Sequence, residues 1–293
     1  MRIFDCFMYF DEDLVLDVRL NYLDKYVDYF VIVESCFTHR GDLRDLNFDI
    51  EKFKKFKNKI IYIALDKQPE GIKEINETDC YSTKNSKILD NALIRENFQR
   101  NFLFSKITNF DDNDLIIISD LDEIPNLENF RYNAKITFFE QKMFYYKLNL
   151  IHKNFLWYGS KITKKKHLLS PQWLRNIKSK KYPLWRIDIM FSKTKYNNIN
   201  FIKDGGWHFT NVKTAEQIDF KMKNFLHHLE YEESGLNVKD VKKIIAEKKV
   251  FYDHKADKKE KKWNAKIELV VENDSNLPNY IINNKGKFSE WLD

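Results

Sequence analysis

Glycine is scarce in this chain. Seven occur in 293 residues, at positions 41, 71, 159, 205, 206, 235 and 286. There is no G-x-G and no G-x-x-x-x-G-K-[ST]. A dinucleotide fingerprint and a P-loop both place glycines where backbone approaches phosphate, so both are excluded, and any nucleotide bound here is held another way. Cysteine is nearly as rare: Cys6, Cys36 and Cys80, with no C-x-x-C. A structural zinc site is therefore not expected. A sparse, odd set suits a reducing compartment, with the thiols serving as small core residues. No run approaches the ~18 apolar residues of a membrane span. The N-terminus, MRIFDCFMYFDEDL, turns acidic instead of presenting a basic stretch followed by an apolar one, so it does not read as a signal peptide. The expected location is the cytoplasm, with peripheral contact at the inner membrane face.

What is present is charge and aromatic surface, 32% and 15% of the residues, in a chain that is 43% hydrophobic. That composition is globular. At about 100–200 residues per domain, the length allows one large domain or two small ones. The net charge of +6 is unevenly spread. Residues 159–187 hold nine Lys or Arg and no acid, residues 239–262 hold ten Lys against five acids, and the remainder is acidic. Basic segments of this kind meet phosphate, anionic lipid or nucleic acid, or form a solvated lysine face. No nucleic-acid motif accompanies them, so a nucleic-acid partner is not expected.

Periodicity predicts strand at 2–10, helix at 12–27, strands at 29–35 and 59–65, helix at 86–107 and a buried strand at 114–120. Aromatic strands are expected at 135–140 and 143–151, and helices at 214–233 and 238–250. The order β-α-β-β-α-β points to an α/β domain on a mostly parallel sheet, followed by a helical C-terminal region. We divide the chain into a domain at 1–213 and a helical extension at 214–293 packed on it. No Pro/Gly/Ser linker or internal repeat marks an independent second domain.

The sharpest local feature is Ser119-Asp120-Leu121-Asp122-Glu123-Ile124-Pro125 after four aliphatic residues. In extended chain, Asp120 and Asp122 point the same way, with Leu121 turned to the core. Ligands of open α/β sheets bind beyond the carboxyl ends of strands. Two adjacent carboxylates favour a hard divalent cation, Mn²⁺ or Mg²⁺, leaving positions for substrate phosphate. Such an ion suits a sugar-nucleotide transferase. An ordinary acidic turn is the alternative. Asp204-Gly205-Gly206-Trp207-His208-Phe209 is the second feature: paired glycines permit a tight turn near a ligand, and His208 is either a third metal ligand or a core histidine. Arg95, Glu96, Gln99 and Arg100 form a polar helix face, read either as a solvent-exposed ion-paired face or as a diphosphate-binding one.

In order along the chain, Asp5-Cys6-Phe7-Met8-Tyr9-Phe10, Arg19-Leu20, Val31-Ile32-Val33-Glu34-Ser35, Glu96-Asn97-Phe98-Gln99-Arg100-Asn101, Ser119 to Pro125 and Gly206-Trp207-His208-Phe209 resemble glycosyltransferase family 17. The resemblance covers roughly residues 3–230. It implies a GT-A-like nucleotide-sugar fold, a divalent metal, an inverting reaction and a UDP-sugar donor. N-acetylglucosamine or a related hexose is the sugar it suggests. Asp120 and Asp122 look like that family's D-x-D, with Asp122 the better candidate for metal contact and His208 the third ligand. Glu34 and the segment at Phe7 look like the base- and ribose-binding edge. Three carboxylates stand open as the base: Asp204, Asp188 and Glu230. Trp185 and Trp207, with Lys164, Lys165 and Lys166, are expected at the acceptor, which the lysines suggest is an anionic or lipid-linked saccharide. A metal-dependent phosphoesterase and a non-catalytic carbohydrate-binding protein are the rival readings.

Overall fold

The computed structural model describes residues 1–183, 185–250, 252, 263 and 267–293. The first half alternates strand and helix. β1 (Ile3–Tyr9), α1 (Asp13–Leu23), β2 (Tyr29–Ser35), β3 (Ile60–Leu65), α2 (Tyr81–Asn101) and β4 (Leu115–Ile118) follow one another, close to the sequence expectation. Short strands come next: β5 (Glu123–Pro125), β6 (Ile136–Phe139), β7 (Gln141–Tyr145), β8 (Leu150–Trp157) and β9 (Lys161–Lys164). Helix α3 (Pro171–Asn176) begins with Pro171 in its first turn and the Ser170 hydroxyl accepting from the Trp173 amide. It leads to β10 (Ile199–Ile202) and β11 (Gly206–Thr210). The remainder holds α4 (Ala215–Asn224), α5 (His228–Ser234), α6 (Val238–Ala246), β12 (Val270–Val271) and α7 (Asn279–Asn283).

A seven-stranded sheet runs β10-β6-β9-β4-β1-β2-β3. Only β9 is antiparallel to its neighbours, so the expectation of a mostly parallel sheet holds here. A second sheet, β12-β8-β7-β11-β5, is mixed, with β7 and β11 its one parallel pair. Side chains alternate across the main sheet with the strand period of two. Phe7, Tyr9, Phe30, Ile32, Leu115 and Ile117 pack with α1 and with Ile281 of α7. Phe4, Cys6, Val31, Val33, Ile116 and Ile118 pack with α3 and the end of α2. A third core, with Met143, Tyr145 and Leu150, receives Ile218, Met222, Tyr231 and Val241 of α4–α6.

Three expectations change. The run 143–151 is two strands, because the chain turns at Tyr146, whose φ is +62°. The helix expected at 214–233 breaks at residues 225–227 into α4 and α5. The region after 213 is not wholly helical, since β12 adds an edge strand to the second sheet. Of the cysteines, Cys6 is core, whereas Cys80 is exposed ahead of α2. Hydrogen bonds from the Ser82 and Thr83 side chains lower the Cys80 thiol to about 7. Of the lysine-rich segment 239–262, residues 251 and 253–262 lie outside the described residues. Among the described residues no helix is long and apolar enough to cross a membrane.

Candidate active site

Strands β1, β2 and β4 run parallel, and their carboxyl ends open on one cavity of about 370 Å³. Tyr9 and Phe10 come from the first strand end, Ser35 and Phe37 from the second, and Asp120 and Asp122 from the third. Gln99 and Arg100 of α2, His208 and Thr210 of β11, Trp157 of β8 and Lys221 of α4 complete the polar wall.

The acidic segment is a tight turn instead of extended chain: β4 ends at Ile118, and the Glu123 amide donates to the Asp120 carbonyl at 3.1 Å. Leu121 is buried as expected. Beneath the turn lies Arg19, fully buried with Asp5 at 2.6 Å, donating to the carbonyls of Asp120, Leu121 and Glu123 and to the Ser119 hydroxyl. The aspartates face different partners. Asp120 Oδ1 accepts from Arg100 at 3.0 Å and Oδ2 from Arg175 at 2.7 Å. Burial opposes its ionisation, but the two guanidiniums outweigh burial and hold the carboxyl well below its ordinary range. Asp122 lies 3.5 Å from His208 Nε2 and 3.9 Å from the Lys221 ammonium. Burial is again outweighed, here by His208 and Lys221, and its carboxyl is also lowered. His208 Nε2 is 3.1 Å from the Thr210 hydroxyl, while its Nδ1 is buried without a hydrogen-bond partner among the described residues.

Two residues absent from the sequence reading organise this wall. Arg175 of α3, inside the basic segment 159–187, spans Asp120 and Glu123, with contacts to Glu123 of 2.7 and 2.8 Å. Glu123 also accepts from the Trp157 indole and the Asp120 amide. The signal for Glu123 is a glycine: a Cβ on Gly159 would stand 1.9 Å from the Glu123 carboxylate, so only glycine fits beside it. Lys221 is the other. It reaches Glu12 at 3.1 Å, and Glu12, Asp11, Lys213 and Lys221 form a charge cluster at the cavity edge.

The remaining expected residues are divided. The Glu96–Arg100 pair, 2.8 Å apart, faces the cavity and not solvent, and Gln99 stands beside it near His39. Arg95 misses the cavity wall and ties down the 39–40 loop through its carbonyls. Phe7 is buried in the core under the Arg19 guanidinium. Glu34 is buried and spent: it accepts from Arg44, Tyr62 and the amides of Asn47 and Phe48, so it braces the 44–48 loop. Asp204 stands on an exposed turn beside Lys142, and Asp188 is paired with Arg186 and Lys195 on the surface. Neither reaches the cavity. Glu230 does not line it, but its carboxylate is 3.2 Å from Nδ1 of His227, which does. Trp207 is core, edge-on to Tyr22, with its indole donating to the Asn276 carbonyl. Trp185 is exposed, and Lys164, Lys165 and Lys166 lie outside the cavity wall, at the end of β9. The paired glycines serve backbone packing: a Cβ on Gly206 would lie 2.1 Å from the Ile124 carbonyl of β5, and Gly206 itself has φ of +128°.

As a metal site, the expected triad brings two donors together. The Asp122 carboxylate and His208 imidazole are adjacent at the cavity, and one oxygen with one nitrogen suits Mn²⁺ when phosphate oxygens fill other positions. Both Asp120 oxygens are occupied by arginines. Among the described residues no three His, Cys, Asp or Glu side chains gather to hold an ion unaided.

The turn, the buried arginine beneath it and the histidine strand across from it lie within a span that a family model matches as a whole: glycosyltransferase family 17, residues 1–292. The chain belongs to that family. It is 32% identical over 119 residues to the β-1,4-mannosyl-glycoprotein 4-β-N-acetylglucosaminyltransferase of Homo sapiens and 31% to that of Mus musculus. Each match covers 38% of this chain and 19% of the relative, so the matched part is about a fifth of the curated enzymes. In this family-17 chain the cavity at the ends of β1, β2 and β4 gathers the acidic turn, the histidine strand and the polar face of α2 on one wall.

Proposed function

We propose that the chain is a metal-dependent inverting transferase of GT-A type, moving N-acetylglucosamine from a UDP-sugar to a saccharide. The observation that carries this reading is the Asp122–His208 pair facing the strand-end cavity in a family-17 chain. Mixed α/β architecture with the cavity at strand ends suits a nucleotide donor. Asp122 and His208 would hold Mn²⁺, and the chemistry that ion supplies is neutralisation of the diphosphate charge. Lys221 adds a cation to the same face. Asp120, pinned by Arg100 and Arg175, is left as an acceptor for ribose or sugar hydroxyls.

The acceptor side is read from the aromatic wall. Tyr145, Trp157, Phe225, Tyr252 and Trp263 line the cavity, and Trp157 lies 5.2 Å from the His208 ring. Aromatic faces take the C–H faces of neutral sugars by apolar contact. This favours an uncharged saccharide in the cavity over the anionic one expected from Lys164–Lys166. His227, oriented by Glu230, is our choice of base. It takes the acceptor hydroxyl proton while the oxygen attacks the anomeric carbon from the face opposite UDP. The bond from that carbon to the diphosphate breaks, and UDP leaves with the electron pair.

Transfer by the Asp122→Asn variant tests the reading. Loss of about two orders of magnitude or more in kcat, with Mn²⁺ affinity reduced, supports it, since deleting one electrostatic stabiliser commonly costs about 10²–10³. Wild-type transfer with Mn²⁺ limiting overturns it.

A further inference from the structure

The segment 178–195, KSKKYPLWRIDIMFSKTK, is not part of the cavity wall. Its described residues expose Trp185 (79%), Ile187 (71%), Met190 (82%) and Phe191 (84%). Four large apolar side chains within seven residues are nearly as open as in an unfolded chain. Burying apolar side chains is favourable, so a soluble surface rarely leaves such a cluster without a partner.

The cluster is held in shape by its base. Ile189 is buried between the exposed side chains. The Lys178 amide donates to the Thr194 carbonyl at 2.9 Å, closing the loop, and the Trp173 indole of α3 donates to the Lys193 carbonyl at 2.9 Å. The same segment carries six cations, Lys178, Lys180, Lys181, Arg186, Lys193 and Lys195. The segment's single acid, Asp188, is neutralised by Arg186 at 2.7 Å and Lys195 at 2.9 Å. Tyr182 carries Lys180, Arg186 and Lys195 about its ring at 5.5–6.0 Å.

We propose that residues 178–195 dock this protein onto an anionic lipid bilayer. Trp, Ile, Met and Phe enter the headgroup–acyl boundary, and the segment's cations meet lipid phosphate and carboxylate. An exposed apolar segment that carries six cations and whose one carboxylate is already paired complements a negatively charged interface. A protein partner matched to those cations would need its own acidic groups beside an apolar socket, whereas an anionic bilayer supplies both at once. Helix α3 lies between this surface and the cavity: Trp173 secures the loop, and Arg175, two residues on, secures Asp120 and Glu123. Docking therefore brings the transferase site within one helix of the lipid. The proposal does not depend on the donor, the metal or the base.

Co-sedimentation of the full chain with phosphatidylcholine vesicles, with and without phosphatidylserine, tests it. Wild-type protein is expected to pellet with the mixed vesicles only, and less as salt rises. Ile187→Ser/Met190→Ser/Phe191→Ser should abolish pelleting. Lys178→Gln/Lys180→Gln/Lys181→Gln should weaken partition at least about tenfold, each cation near an anionic surface counting for about 1 kcal/mol. Both variants should keep the wild-type melting temperature and donor hydrolysis. No pelleting by wild type, or unchanged pelleting by either variant, overturns the proposal. So does sedimentation velocity showing a wild-type dimer that the apolar variant splits, which would assign the surface to a second copy of the chain.

Discussion

Replacing Arg19 with Met removes the side chain that holds the acidic turn from below. Both Arg19 and Asp5 are fully buried, and Arg19 donates six hydrogen bonds of 2.5–3.0 Å to Asp5, Ser119 and the turn carbonyls. The substitution leaves the Asp5 charge buried and three carbonyls without that donor. Breaking a buried pair from one side costs about 3–5 kcal/mol. At about 2–4 °C per kcal/mol for domains of roughly this size, Tm should fall by about 6–20 °C. The double variant Arg19→Met/Asp5→Leu no longer strands a charge and should recover at least about 1 kcal/mol. It should not recover donor turnover, because the carbonyls of Asp120, Leu121 and Glu123 still lack their donor. Urea unfolding of the four proteins in the cycle, with donor hydrolysis in parallel, measures both effects. A single variant melting close to wild type refutes the reasoning, as does a double variant no more stable than the single.

Other consequences follow from the same geometry. Lys221→Gln should weaken donor binding about tenfold, the scale of a charge-assisted hydrogen bond, and an unchanged donor KM would remove Lys221 from the diphosphate face. Lys164→Gln/Lys165→Gln/Lys166→Gln should leave the KM for a neutral saccharide acceptor unaltered, since these side chains are outside the cavity wall; a raised KM would restore them to the acceptor path. Burial, with repulsion from Arg175, pushes the Lys161 amine from its ordinary 10.5 down to about 7. Between those values the unfolded chain binds the proton and the folded one does not, so this group makes stability rise with pH from about 7 to 10. In Lys161→Met that rise should flatten, and a parallel pH–stability curve would contradict the burial argument.

The first five regular elements and the strand leading to Asp120 were legible because each is a long or strongly patterned signal, whereas the extended geometry expected for Asp120 and Asp122 gave way to a tight turn. β1 and β2 are buried apolar runs, and the four consecutive aliphatics of β4, Leu115–Ile118, fit a fully buried strand. The second sheet was harder. Its strands are short, aromatic on both faces, and broken by residues such as Tyr146 whose positive φ no propensity announces. Within the helix expected at 86–107, the apolar Leu93 is exposed, because α2 buries Asn91, Ala92, Gln99 and Arg100 instead. Of the residues that line the cavity, Gln99, Arg100, Asp120, Asp122 and His208 were named from sequence and Lys221 was not. Arg175 was hidden in a basic segment whose charge suggested a substrate, although its work is internal: two carboxylates at the cavity need a cation, and α3 supplies it. Glu34 failed in the opposite way. A carboxylate at a strand end looks available, but four donors from the chain already use it.

Asp122 and His208 are proposed to hold a UDP-sugar in the strand-end cavity. Hydrolysis of UDP-, GDP- and CMP-sugars by the purified chain, with and without Mn²⁺, tests it most directly. The expected result is Mn²⁺-dependent release of UDP from one sugar nucleotide, UDP-N-acetylglucosamine, and its loss in Asp122→Asn and His208→Ala. Release from a GDP- or CMP-sugar instead, or no release together with no Mn²⁺-dependent binding of UDP, would contradict it.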